Sequence, residues 1–479
     1  MKNMFSRNNH QFWLLSSCLT LFIAQGCEKI NQAGPESPLP APAQAQSFSK
    51  ITEKKSAKNV ILFIGDGMGM STITAARIFD GQSKGLKGEE HTLAFEDFEN
   101  IALIKTYNTN AQVPDSAGTA TAILSGYKTN IGAINVKPNK DVKKMVFSSC
   151  VAKNSPPTLL KRAKKAGLSV GVVSTTRITH ATPAAMYSHS VSRNWETKDE
   201  IDPRAAKFGC KSIASQLLKH TPDITLGGGR KNFTDKQLEN WAKKDGHIYV
   251  SDADSFRRAP KDKTLLGLFT PSHMSYEADR DDAKEPSLAE MTGAAIDALS
   301  ERETGYVIMV EAGRVDHAHH GTNAYRAMRD MQALNEAVKT AKAKTGEDTL
   351  IMVTADHSHV FTIGGYPARG NPILGLVRHP DPEAGEPAKD YAKDLGGKPY
   401  TTLGYANGPN IRAAHTPTLT EELVQSHDYQ QETTVHLESE THAGEDVPLY
   451  ARGPGAHRVR GVMEQNEIAD VIDAALGLK

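Results

Sequence analysis

The chain has 479 residues, 56 Lys+Arg against 56 Asp+Glu, 39% hydrophobic residues and a mean hydropathy of -0.45. A chain this long can bury a large core. The balanced charge gives no basic field for nucleic acid, and beyond the N-terminus no stretch is long and apolar enough to span a membrane.

Lys2 and Arg7 precede a mostly apolar run from Phe12 to Ala24, followed by Gln25-Gly26-Cys27. A basic stretch, an apolar stretch and a small residue before the cut make a secretory signal over residues 1–26. The cysteine that follows resembles a bacterial lipobox, which would acylate Cys27. Ala24 and Gln25 stand where Leu and a small residue are usual, and an ordinary signal peptide is the alternative. The expected location is therefore outside the cytoplasm, in the periplasm or cell envelope, with a lipid anchor at Cys27. Residues 27–57 are rich in Pro, Ala, Gln, Ser and Lys without periodicity and read as a flexible tether. Cys18 leaves with the signal, so Cys150 and Cys210 remain in the body. In an oxidising compartment they make one disulfide or stay as two buried thiols.

From residue 58 to 479 the pattern alternates strand and helix. Val60–Ile64 is an unbroken apolar run, a strand buried on both faces. It ends in Gly65-Asp66-Gly67-Met68-Gly69, and Ser71-Thr72 opens a helical pattern. Further strands are expected at 169–174, 305–310, 349–354 and 447–451, and helices at 117–124, 158–166, 288–300, 324–343 and 468–476. That order predicts an α/β fold with a large, mostly parallel central sheet flanked by helices. Residues 365–440 have irregular periodicity with many Pro, Gly and polar residues, and read as an insertion.

Chemistry-bearing residues gather at the strand ends. Asp66, flanked by glycines at the end of a buried strand, sits where open α/β sheets bind ligands. After the strand near 306–310 comes Glu311-Ala-Gly-Arg-Val-Asp316-His-Ala-His-His320; Asp316 and His320 are four apart, on one face of a helical turn, with metal-ligand spacing. Thr354-Ala-Asp356-His357-Ser-His359 repeats the pattern of a buried strand ending in an acid. Glu440-Thr-His442 adds a histidine at a loop–strand junction. Three strand ends that deliver Asp, Asp-His and Glu/Asp/His to one sheet edge predict a polynuclear metal site. Ser116, in Val113-Pro-Asp115-Ser116-Ala-Gly-Thr-Ala-Thr-Ala, opens a helix of small residues, where free N–H groups favour an anion. Facing a divalent cation, a serine can lose its proton and become a nucleophile. Arg193, in Ser192-Arg193-Asn-Trp, offers a planar fork for two phosphate oxygens.

Taken together, these segments and His180-Ala-Thr182-Pro-Ala resemble an alkaline phosphatase from about Lys58 to the C-terminus. His-His after Asp316 and Arg-Asn-Trp after Ser192 are closest to the animal branch. The resemblance implies an alkaline phosphatase-like fold in which 365–440 is a smaller crown-like region, and a homodimer. It implies two zinc ions, one on Asp316, His320 and His442, the other on Asp66, Asp356 and His357 beside Ser116. It implies a magnesium on Asp66, Thr182 and Glu311, with His180 next to it and Asp115 orienting Arg193. A Cys150–Cys210 disulfide fits the animal pattern. Thr270 departs from it: the animal enzymes carry an acid there, which puts their additional calcium site in doubt despite the nearby Glu285.

The implied reaction is hydrolysis of small phosphate monoesters to alcohol and inorganic phosphate through a phosphoserine, with broad specificity and an alkaline optimum. A phosphodiesterase of the same superfamily and a non-catalytic, lipid-anchored phosphate- or metal-binding protein are the alternatives. A diester has fewer free oxygens for Arg193 to clamp, and a non-catalytic binder has no need of Ser116.

Overall fold

The computed structural model describes residues 56–137, 150, 155–411 and 418–478. The expected signal, Cys27 and nearly all of the tether lie outside the described residues. Ten strands form the main sheet: β1 (Asn59–Gly65), β2 (Asn100–Lys105), β3 (Ser169–Arg177), β4 (Ile224–Gly228), β5 (His247–Val250), β6 (Thr264–Leu268), β7 (Tyr306–Ala312), β8 (Thr349–Ala355), β14 (Val447–Arg452) and β15 (Gly461–Glu464). Between β8 and β14 the chain adds β9 (Ser358–His359), β10 (Phe361–Ile363), β11 (Leu403–Gly408), β12 (Thr433–His436) and β13 (His442–Ala443).

The main sheet runs β15-β2-β14-β8-β1-β7-β3-β4-β6-β5. Its pairings are parallel except those of β14, which is antiparallel to both β2 and β8. β1, β7 and β8 are buried at every position, as their unbroken apolar runs require of strands covered on both faces. Helices Met70–Gln82, Leu288–Ser300 and Ala324–Lys344 pack on one another and over β1, β3 and β7; Ser116–Ser125 packs on Glu467–Leu476. Truncating a fully buried core side chain such as Ile61 or Leu350 to Ala would cost about 2–5 kcal/mol.

The register explains where function collects. Gly65 pairs with Ala312 on one side and with Ala355 on the other. The chain therefore leaves β1, β7 and β8 at one carboxyl edge, and Asp66 and Asp356 emerge side by side. Glu311 lies inside β7 rather than after it, opposite Ser174 of β3. β2, β4, β5, β6 and β15 carry no clear sequence signal, being short or, like β2, alternately exposed.

Among the described residues, 365–440 contribute no strand to the main sheet. β11 and β12 pair with each other, and β11 with β10, their Phe361, Leu403 and Tyr405 joining the main core, while Leu376, Leu419, Val424 and Tyr429 form a small separate one. Cys150 and Cys210 are joined in a disulfide.

Candidate active site

The sharp exit from β1 depends on Gly67, at φ 70°. A Cβ there would come within 2.2 Å of His359 Nε2, so only glycine lets this turn lie against the histidine. The turn directs the Gly67 N–H to Asp356 Oδ1 at 3.0 Å. Asp356 Oδ1 also accepts from the His357 N–H at 2.9 Å, and its Oδ2 from the Thr119 hydroxyl at 3.0 Å. Asp66, wholly buried, has no hydrogen-bond partner at either carboxylate oxygen.

Asp66, Asp356 and His357 place one ligand atom each within 4.8 Å of one another. His357 Nε2 lies 3.3 Å from Asp66 Oδ1 and 3.2 Å from Ser116 Oγ. Ser116 is the first residue of its helix, and Asp115 caps that helix by accepting from the Gly118 N–H at 3.1 Å. The other Asp115 oxygen accepts from Arg193 Nη1 at 3.1 Å and from the Gly132 N–H at 3.0 Å. One aspartate thus fixes both the start of the serine helix and the guanidinium.

On the helix Arg314–His320, His320 Nε2 is 3.3 Å from Asp316 Oδ1, the pairing expected of an i, i+4 face. His442, on β13, brings its Nε2 within 3.3 Å of the same oxygen and 3.2 Å of His320 Nε2. Backbone carbonyls orient both rings: His320 Nδ1 meets Glu440 O at 2.6 Å and His442 Nδ1 meets Pro114 O at 2.8 Å. A proton on each Nδ1 leaves both Nε2 lone pairs facing the Asp316 oxygen, as ligation requires.

Glu311 Oε2 accepts from the Ser174 and Thr176 hydroxyls, while its Oε1 has no partner. Thr182 Oγ1 is likewise buried without one. His180, Asp66 and Glu311 form a third group with metal-ligand spacing. Unpaired oxygens on buried carboxylates are costly unless a cation meets them. The donors also divide by chemistry, nitrogen with oxygen in the first two groups and chiefly oxygen in the third.

The electrostatics agree. Burial first, then the charges of Asp356, Asp316 and Glu311, hold Asp66 well above the usual carboxylate range. Burial pushes Glu311 up to about 7. Burial acts the same way on Asp316, but the charge of His320 and hydrogen bonds from His359 and His442 outweigh it and hold that group well below its ordinary value.

The residues singled out in the sequence thus meet in one place. One that matters, His359, was not singled out. His359 bridges the site: its Nδ1 contacts Glu440 Oε2 at 2.6 Å and its Nε2 contacts Asp316 Oδ1 at 3.1 Å. The signal was its spacing from His357, two residues apart in extended chain. At Thr270 the hydroxyl donates to Ser272 O at 2.9 Å, and Glu285 accepts from Ser275 N at 2.9 Å and Oγ at 2.6 Å. Protein donors thus already meet Glu285, in line with the doubt over a calcium site there.

The family model described as alkaline phosphatase matches residues 57–478. The chain is 42% identical over 449 residues to the human tissue-nonspecific alkaline phosphatase, covering 87% of this chain and 83% of that one. It is 40% identical over 460 residues to the alkaline phosphatase of Gadus morhua, covering 89% and 92%. The solved alkaline phosphatase of Thermus thermophilus has the same fold at a TM-score of 0.63 and 24% identity, covering 89% of this chain and 92% of that one.

Proposed function

The chain belongs to the alkaline phosphatase family, and on that footing we propose that Ser116 is its nucleophile and that Arg193, held by Asp115, clamps the phosphoryl group. The family's reaction is the hydrolysis of phosphate monoesters, and this protein is a metal-dependent hydrolase of that class. The observation that carries the residue assignment is the convergence of Ser116 Oγ, a helix N-terminus, the Arg193 fork and the unpaired Asp66 oxygens.

Asp316, His320 and His442 would hold one zinc, and Asp66, Asp356 and His357 a second. Asp66, Thr182 and Glu311 would hold magnesium, with His180 beside it. When bound, the zinc ions supply the Lewis acidity that ionises the serine hydroxyl and water and stabilises the leaving oxygen. The chain's own part is positional. Ser116 Oγ attacks phosphorus as its proton passes to solvent; the Oγ–P bond forms as the ester P–O bond breaks, and the alcohol departs with a proton from solvent. Arg193 and the N–H groups at the helix start hold the equatorial oxygens as charge redistributes. Water then attacks the phosphoserine, releasing inorganic phosphate and restoring the hydroxyl.

Residues 58–479 make up the catalytic domain in this reading, with 365–440 as its inserted crown-like region. A homodimer is supported by an uncovered apolar face at the sheet edge, where Ile101 (50% exposed), Leu103 (42%) and Val462 (58%) lie together, Val462 paired with Leu103. No helix among the described residues is long and apolar enough to cross a membrane. Export and a lipid anchor at Cys27 rest on the N-terminal pattern, and Cys27→Ser would release active enzyme from membranes.

Mapping the trapped phosphate tests the central claim. Acid quenching during turnover, followed by peptide mass spectrometry, should find phosphate on Ser116, and phosphate on another residue would overturn the assignment.

A further inference from the structure

Beside the proposed phosphate clamp lies a second polar group that the reaction does not use. The rings of His180, His273 and His317 form a triangle, with centroids 5.2 Å apart for His180–His273, 5.6 Å for His180–His317 and 4.2 Å for His273–His317. Their nitrogens have the spacing of a metal site, but their partners rule that use out. A guanidinium-bearing residue donates to each ring: Arg193 Nη2 to His180 Nε2 at 3.0 Å, the Arg177 backbone N–H to His273 Nδ1 at 3.2 Å, and Arg314 Nη1 to His317 Nδ1 at 3.1 Å. Arg177 Nη1 also lies against His273 Nε2.

An imidazole that accepts at one nitrogen carries its proton on the other. His180 therefore presents Nδ1–H, which is buried and has no partner, and His317 presents Nε2–H; both nitrogens of His273 face Arg177, Nδ1 its backbone N–H and Nε2 its guanidinium. A cation needs the lone pairs that the arginines have taken, whereas an anion needs the N–H groups that remain. The charge balance points the same way. Glu196 neutralises Arg177 through a two-pronged pair, and Asp115 does so for Arg193. Arg314 has no carboxylate within ion-pair distance among the described residues; it stacks over the Tyr276 ring at 3.7 Å instead. His273, His317, Arg177 and Arg314 are all partly exposed.

We propose that His317, Arg314 and the Arg177 guanidinium that His273 backs, one ring beyond the Arg193 clamp, form a subsite for a second anionic group on the substrate, a carboxylate or a second phosphate, so that doubly anionic monoesters are favoured over those with neutral leaving groups. The proposal rests on the reading of Arg193 as the clamp, since that fixes where the reacting phosphate sits. A spacer of about two carbons suits the 5–6 Å between His180 and the other two rings.

The test uses the metal-loaded enzyme and two competitive inhibitors that differ by one charge, 3-phosphonopropionate and propylphosphonate. The carboxylate should tighten inhibition about tenfold, the worth of one charge-assisted hydrogen bond. In His273→Ala and in Arg314→Met that ratio should fall to near one, while the Ki of propylphosphonate stays within about twofold. His273→Gln, whose amide oxygen can still accept from Arg177, should restore part of the ratio. Equal inhibition by both compounds in the wild type, or a ratio unchanged in His273→Ala, overturns the subsite. Should Arg314→Met fail to fold, the His273 pair still decides. Failure of the underlying clamp would show differently: propylphosphonate would then inhibit Arg193→Ala as well as it inhibits the wild type.

Discussion

Two groups of ionisable side chains share His180 and treat their lone pairs in opposite ways. Under the carboxyl edge of the sheet, Asp66 leaves two carboxylate oxygens unpaired and Glu311 one, and the imidazole nearest Asp66, His357, is held neutral by burial. In the neighbouring triangle, donors from Arg177, Arg193 and Arg314 already occupy the imidazole lone pairs. On the two proposals, ligand-type residues at similar spacings would serve a cation in one place and an anion in the other. Residue type alone does not separate the two, because histidine serves both. What separates them is the state of each lone pair, and that follows from what lies behind it: a carbonyl at His320 and His442, a guanidinium at His273 and His317.

The sharpest way to break this contrast is at the nucleophile. Ser116→Ala removes the proposed nucleophile. Turnover of p-nitrophenyl phosphate should fall by at least about 10³-fold, as for loss of a covalent nucleophile, with metal content and melting temperature nearly unchanged. Turnover within tenfold of wild type at full metal load would remove Ser116 from that role.

Arg193 stands on the border between the two groups, bonded to Asp115 on one side and His180 on the other. Arg193→Ala should lower kcat/KM for a monoester by about 10²-fold, the worth of a two-pronged charge-assisted contact, and change hydrolysis of bis-p-nitrophenyl phosphate far less. Equal losses on both substrates would mean that the arginine holds the fold rather than the phosphate.

The cation side was far more legible in the sequence than the anion side, for a physical reason. Asp66 and Asp356 end strands whose apolar runs are unmistakable, and a parallel sheet brings such ends to one edge whatever the strand order. Asp316 and His320 announce themselves by helical spacing. His273 has neither cue: it lies in a loop after β6, and only the tertiary fold brings it to His317. The exposed face of β2 was hidden likewise, since alternation along a short strand gives the exposed side but not what covers it.

His359 gives a subtler break, because it supports a ligand without needing to be one. Both of its nitrogens are engaged, by Glu440 and by Asp316. His359→Ala should weaken zinc binding by about 10–100-fold, as loss of a partner behind a ligand does. Saturating zinc should restore most of kcat, and His359→Gln should be milder than Ala. A kcat deficit that zinc cannot repair would make His359 part of the chemistry.

The smallest effect separates the two groups by pH in the metal-stripped protein. Glu311, wholly buried, rises from 4.5 to about 7 in the fold, chiefly through burial. A carboxyl whose folded value lies above its unfolded one opposes folding once it must ionise. The penalty is absent below pH 4.5, grows through the interval and is complete above about 7. Burial shifts Asp66 and Asp356 the same way, while the buried imidazoles of His180, His317, His319 and His357, held below their ordinary 6.5, act oppositely up to about that pH. The melting temperature of stripped Glu311→Gln should therefore gain a few degrees relative to the stripped wild type as pH rises from 5 to 8. Zinc and magnesium should abolish that gain, since a bound cation stabilises the ionised carboxylates. His273→Ala should change the slope of melting temperature against pH only below about pH 6.5, where burial holds the folded imidazole down to about 2 and so makes stability rise with pH. A difference between Glu311→Gln and wild type that stays constant from pH 5 to 8 would place the buried charge elsewhere than at Glu311.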